Sequence, residues 1–221
     1  MSHQPQAVIF DFDGVIVDSE PAHYRAFQAV LEPRGLGYDW DRYVAHYIGF
    51  DDRDGFREAY RQGGQELSAD ELEALIAAKH AAFEAEMAAG LDPIAGATEC
   101  VRRLAAAYPL AVCSGALRGE IEPTLARLGI TDAFRAIVAA DDVAHSKPHP
   151  ASYRLAVARL GDAVGRELAP AACVAIEDTP TGVASARDAG LRVIGLAAAG
   201  PGPEGAHRVV RSLAELTPEA L

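Results

Sequence analysis

From Leu91 to its C-terminus the chain alternates between two kinds of segment. Short apolar runs, Leu110-Ala111-Val112-Cys113, Ala136-Ile137-Val138-Ala139 and Cys173-Val174-Ala175-Ile176, are each followed by a stretch with helical spacing. Ala7-Val8-Ile9-Phe10 is a run of the same type, and Arg192 to Leu196 reads as a fifth strand. Runs this short are strands, and their continuous apolarity implies burial on both faces. Strands of that type separated by helices form a parallel sheet with crossover helices. The spacing predicts helices over 96–107, over 120–128 capped by Gly129, over 152–160 followed by Gly161, and over 181–189 closed by Gly190. His207 to Val210 adds a last short strand.

Residues 20–90 break this rhythm. They contain no strand pattern, and His23, Phe27, Val30 and Leu31 recur at helical spacing. Ser68 and Glu71 read as a capping box before a long helix whose apolar face carries Leu72, Leu75, Ile76 and Phe83. The expected organisation is therefore an α/β, Rossmann-like parallel-sheet core over 1–19 and 91–221, with an α-helical domain inserted over 20–90.

In open α/β sheets, ligands bind beyond the carboxyl ends of the strands, and four of these strands end in polar groups. Asp11-Phe12-Asp13-Gly14 follows the first. In an extended chain, residues two apart face the same side, so Asp11 and Asp13 present two carboxylates together. Two acids spaced to share a hard cation suggest chemistry on a phosphate or carbonyl oxygen, although an acidic strand exit has the same sequence. Ser114 ends the second strand and is either a helix N-cap or part of an anion site. Lys147-Pro148 follows the third, with Pro148 read as opening the next helix. Glu177-Asp178 ends the fourth, as metal ligands or as an acidic pair at a helix N-terminus.

Together, Asp11-Phe12-Asp13-Gly14-Val15-Ile16-Val17-Asp18-Ser19-Glu20, Cys113-Ser114-Gly115, Ser146-Lys147-Pro148 and Ile176-Glu177-Asp178-Thr179 resemble the haloacid dehalogenase-like superfamily. The resemblance is closest to its small-molecule phosphatases and sugar phosphomutases with a helical cap, and it spans nearly the whole chain. It implies that Asp11 is the nucleophile of an aspartyl-phosphate mechanism and that Asp13 is the general acid and then the base. Dehalogenases proper lack that second aspartate. It also implies Mg²⁺ held by Asp11, the Asp13 carbonyl and Asp178, with Glu177 ligating directly or through water. Ser114, with the Gly115 and Ala116 amides, is expected to bind the phosphoryl oxygens, and Lys147 to neutralise Asp11 and the phosphoryl group.

The cap is expected to set specificity. His23 is read as a substrate contact or a partly buried core histidine. Lys79 falls within an apolar helix face, where an unpaired ammonium is costly. It either snorkels or meets the substrate, and similar proteins favour the second. Arg53 and Arg118 are read as cleft or surface residues, His145 and His149 as loop residues, and Asp141 and Asp142 as solvated loop acids. The β-phosphoglucomutase group carries a basic residue just after the cap glycine, whereas this chain reads Gly49-Phe50-Asp51-Asp52-Arg53. It also has Leu117 and Arg118 where that group has lysine then asparagine. These departures favour a phosphatase of small phosphorylated metabolites over a mutase. A silent binding protein would require a broken motif, and none is broken.

The formal net charge of −12, from 20 basic and 32 acidic residues, argues against nucleic-acid or anionic-membrane partners. The absence of a long apolar run or leader-like N-terminus favours the cytoplasm. Cys100, Cys113 and Cys173 lack metal-site spacing and read as small core residues in a reducing compartment.

Overall fold

The computed structural model describes residues 4–48, 50–197 and 202–221. The N-terminal residues 1–3, Gly49 of the cap loop and residues 198–201 of the proline-rich loop lie outside the described residues. Two compact units are present, one of residues 1–18 and 92–221 and the other of residues 19–91.

In the first unit, β1 (Ala7–Phe10) is followed by the two-residue β2 (Val17–Asp18), and after the insert by β3 (Asp92–Pro93), β4 (Leu110–Cys113), β5 (Phe134–Val138), β6 (Cys173–Glu177), β7 (Arg192–Leu196) and β8 (Arg208–Val210). Six of these form one sheet in the order β5-β4-β1-β6-β7-β8, parallel at every pairing. Every residue of β1, β4 and β6 is buried, as continuous apolarity requires of strands covered on both faces. Each large buried side chain contributes about 1.5–3 kcal/mol. β5 begins two residues earlier than its apolar run because it is an edge strand, where an exposed Arg135 is tolerated.

β2 and β3 pair antiparallel, Val17 with Pro93 and Asp18 with Asp92. Two-residue strands are too short to leave a periodic signal, and the sequence reading missed them. They form a ribbon where the chain leaves the core and returns.

The insert contains α1 (Glu20–Leu31), α2 (Trp40–His46), α3 (Asp52–Gly63) and α4 (Ala69–Ala89). Its core joins Phe27, Leu31, Phe56, Tyr60, Leu72 and Leu75 with an aromatic cluster of Tyr38, Tyr43 and Tyr47. Ser68 caps α4 by accepting from the Glu71 amide at 3.2 Å. The Glu71 carboxylate instead accepts from the Tyr60 hydroxyl at 2.8 Å, so the expected box is only half made.

The core helices are α5 (Ala97–Ala105), α6 (Arg118–Arg127), α7 (Ala151–Val164) and α8 (Pro180–Asp188). Helix α7 runs through Gly161, which the sequence suggested as its end. A Cβ there would lie 2.9 Å from the Arg166 carbonyl oxygen, so this glycine admits the returning chain. The left-handed cap is Gly165, φ 69°. Pro148 does not open α7, which starts after Pro150. The three cysteines are free and buried. Among the described residues, no helix is long and apolar enough to cross a membrane.

Candidate active site

The strand order places β1 in the middle, with β4 and β5 on one side and β6 to β8 on the other. The chain reverses direction beside β1, and such a switch point opens a crevice at the strands' carboxyl ends. Asp11 follows β1, Ser114 follows β4, Glu177 ends β6 and Asp178 follows it. The Lys147 loop joins β5 to α7.

Lys147 is the cation among these groups. Its Nζ lies 2.9 Å from Asp11 Oδ1 and 2.7 Å from Glu177 Oε1, and donates to the Cys113 carbonyl at 3.1 Å. Asp11 Oδ1 also accepts from the Phe12 amide at 2.7 Å. One oxygen each of Asp11, Glu177 and Asp178 fall within 4.8 Å of one another. The acids gathered beside Lys147 thus include Glu177 and Asp178 from the end of β6 as well as Asp11, and the charge of Asp13 is felt at Asp178. β1 stops at Phe10, and Asp13 lies beyond it in a bridge to Val17.

Three carboxylates face one ammonium, and the titrations follow from that excess. Burial and then Asp11 push the Glu177 carboxyl up to about 8, against Lys147 and Tyr153. Burial and Asp11 push Asp178 up to about 7. Burial alone would depress Lys147, but Asp11 and Glu177 hold it well above its usual range. Glu177 Oε2 and Asp178 Oδ1 are buried without a hydrogen-bond partner among the described residues, a costly state unless something else binds them.

Two glycines keep this space open. Gly14 has φ +69°, and a Cβ on it would meet Asp178 Oδ2 at 1.8 Å. A Cβ on Gly182 would meet Glu177 Oε2 at 2.0 Å. Clustered hard oxygens, two of them orphaned, in a site short of positive charge fit Mg²⁺.

Ser114 is not the cap of α6, a position held by Leu117. Its amide donates to the Val138 carbonyl at 2.9 Å. The Ala116 amide, expected to be open to phosphate, donates to Ser114 Oγ at 2.9 Å. Gly115 is exposed. Asp142 also differs from expectation. Asp142 accepts from Arg118 at 2.6 Å and from Arg159 at 2.8 Å, and is held well below the usual carboxylate range, first by Arg159. It is a bridge between arginines, not a solvated acid. His149 Nδ1 accepts from the Ala151 amide at 3.2 Å, and its ring lies 4.9 Å from that of His145.

The helical unit has its own open pocket of about 610 Å³, lined in part by Glu20, His23, Phe50, Asp52 and Arg53. Lys79 neither snorkels nor stands unpaired. It is buried, with Nζ 2.7 Å from Asp52 and 2.9 Å from His23 Nδ1, near the Phe27 and Phe83 rings. An ammonium can only donate, so the His23 proton sits on Nε2. Asp52, which the sequence reading noted only as a departure, is thus the counterion of Lys79. Arg53 pairs with Glu73.

Burial, then Lys79, lower His23 from 6.5 to about 4. Between those values the unfolded chain binds the extra proton, so stability falls as pH drops through that window. The expected loss is on the order of 3 kcal/mol. Glu177 and Asp178 titrate in the opposite sense, so the His23 share is read as the difference between the urea-unfolding pH profiles of the parent and His23→Gln, which should grow as pH rises from about 4 to 6.5. Matching slopes in the two proteins would place the titration elsewhere.

Sequence reasoning missed Tyr153, whose hydroxyl donates to Glu177 Oε1 at 2.6 Å. A tyrosine inside a helix reads as core, and only the fold places it against Glu177.

Residues 8–196 match the model of the haloacid dehalogenase-like hydrolase family. A fructose-1-phosphate phosphatase of Escherichia coli K12 is 33% identical over 85% of this chain and 94% of its own length. A phosphoglycolate phosphatase of Yersinia pestis is 31% identical over 86% of this chain and 80% of its own. The crystal structure of a haloacid dehalogenase family hydrolase from Deinococcus radiodurans R1, with bound phosphate and sodium, superposes with a TM-score of 0.77 at 33% identity, covering 96% of this chain and 93% of that one. The chain belongs to the haloacid dehalogenase-like hydrolase family, and is an enzyme of the phosphoric monoester hydrolase class.

Proposed function

We propose that this protein is a Mg²⁺-dependent phosphatase of small phosphorylated sugars and related metabolites, working through an aspartyl-phosphate. The observation that carries the reading is the gathering of Asp11, Glu177 and Asp178 around Lys147, with buried oxygens left unpartnered. Relatives named for fructose 1-phosphate and phosphoglycolate support a substrate of that size.

Asp11 Oδ1 is anchored by Lys147 and the Phe12 amide, so Oδ2 is the oxygen that attacks phosphorus. The bond from phosphorus to the ester oxygen breaks, and Asp13 protonates the departing alcohol. Asp13 then takes a proton from water as it attacks the phosphoenzyme, which restores Asp11 and releases phosphate. Lys147 and the strand-end groups at Ser114 and Gly115 offset charge on the phosphoryl oxygens. Asp11, Asp178, the Asp13 carbonyl and Glu177 would hold the metal, which supplies Lewis-acid neutralisation of the phosphoryl group. The helical unit, through His23 and the pocket beside it, selects the substrate.

Purified protein with Mg²⁺ should release phosphate from sugar monophosphates without any bisphosphate activator, and excess chelator should stop it. Full activity in chelator would refute the metal requirement. Faster isomerisation of β-glucose 1-phosphate than hydrolysis of any substrate, primed by a bisphosphate, would make the enzyme a mutase.

A further inference from the structure

Tyr153 is fully buried on α7, with its ring beside the Lys147 ammonium, 5.2 Å from Nζ to the centroid. Phenylalanine would fill that volume equally well, and a buried phenol is tolerated only when its hydroxyl has a partner. Here the partner is Glu177 Oε1, at 2.6 Å. The same oxygen lies 2.7 Å from Lys147 Nζ. Both donors therefore converge on Oε1, and Oε2 has none among the described residues. The carboxylate as a whole lies against the bare Cα of Gly182, where a Cβ would lie 2.0 Å from Oε2 and 2.2 Å from Oε1.

We infer that Tyr153 is a positioning residue for the metal, fixing the Glu177 carboxylate through Oε1 so that Oε2 is turned to the cation. The inference rests on the metal-dependent reading proposed above. A Lys147 ammonium alone would hold Oε1 as a rotatable point charge. The phenol, set in a packed helix face, supplies a second, fixed direction. Gly182 leaves room for the carboxylate and bounds it on the face that meets the glycine Cα. Partners of this kind, outside the ligands themselves, typically change metal affinity about 10–100-fold.

The test is Mn²⁺ binding followed by the electron paramagnetic resonance of the free ion, which needs no turnover. Wild-type protein is titrated first. No binding by wild type would overturn the metal-dependent reading and this inference together. If wild type binds, Tyr153→Phe should bind Mn²⁺ at least about 10-fold more weakly, with activity recovering at high Mg²⁺. A tyrosine serving only the core would lower unfolding stability in chelator and leave Mn²⁺ affinity within twofold, which overturns the inference alone. Gly182→Ala displaces the same carboxylate through a different contact and should also weaken Mn²⁺ binding. It decides the matter if Tyr153→Phe does not fold, since unchanged affinity there removes the clamp.

Discussion

Asp11→Asn is expected to lower kcat by at least about 10⁴-fold, because an amide oxygen cannot serve as the attacking group and nothing nearby replaces it. The substitution keeps an oxygen able to accept from Lys147 and the Phe12 amide, so the local hydrogen bonds survive. It also removes one of three acids crowded around a single ammonium. In chelator the variant should therefore be as stable as the parent or more so. Single-turnover kinetics and urea unfolding give the two readings. A variant with most of its turnover intact would end the aspartyl-phosphate mechanism, and one that is inactive because it is unfolded would leave its loss of rate without mechanistic meaning.

Lys147→Met should produce the other large effect, on rate and on stability together. Loss of the ammonium leaves Asp11 and a wholly buried Glu177 without their counterion. Breaking a buried pair in this way costs about 3–5 kcal/mol, and loss of a charge facing the phosphoryl group should lower kcat about 10²–10³-fold. The pH dependence follows from the raised carboxyls. A group whose pKa is higher in the fold than in the unfolded chain stabilises the fold at low pH and stops doing so as pH rises through the folded value. With Asp178 at about 7 and Glu177 at about 8, chelated wild type should lose stability as pH climbs from about 5 to 8, and the variant should lose more. Saturating Mg²⁺ should flatten both curves, because the ion takes the place of the proton. Equal pH slopes for the two proteins in chelator would show that Lys147 does not neutralise these acids.

The sheet and the identity of the strand-end residues were readable because both lie in local pattern. Four apolar residues before a polar one announce a buried strand and its mouth, and the family motifs lie at those mouths. What stayed hidden is whatever depends on distant chain coming together. Tyr153 and Gly182 look ordinary in the sequence, and both meet Glu177 only once β6 is set against α7 and α8. Lys79 carried a visible signal as a charge in an apolar stripe, but its answer, Asp52, sits on another helix. Asp142 looked like a loop acid for the same reason, since Arg159 belongs to the next helix. The Ala116 amide was assigned to a ligand because spacing alone does not reveal that Ser114 Oγ accepts from it.

The pairing of Val17 with Pro93 has a consequence for how such a protein can change over evolutionary time. The two ends of a 73-residue insertion, residues 19–91, meet as neighbours across an antiparallel pair, about 4.5–5.5 Å apart between Cα atoms. A tight hairpin turn could bridge that gap as well as the present helices do. Insertions between adjacent chain ends are well tolerated by folded domains. The helices can therefore be lengthened, exchanged or lost without altering the register of any strand in the core. If the helical unit selects the substrate as proposed, chemistry and recognition are encoded in separable stretches of sequence, and recognition can drift while the chemistry is held fixed.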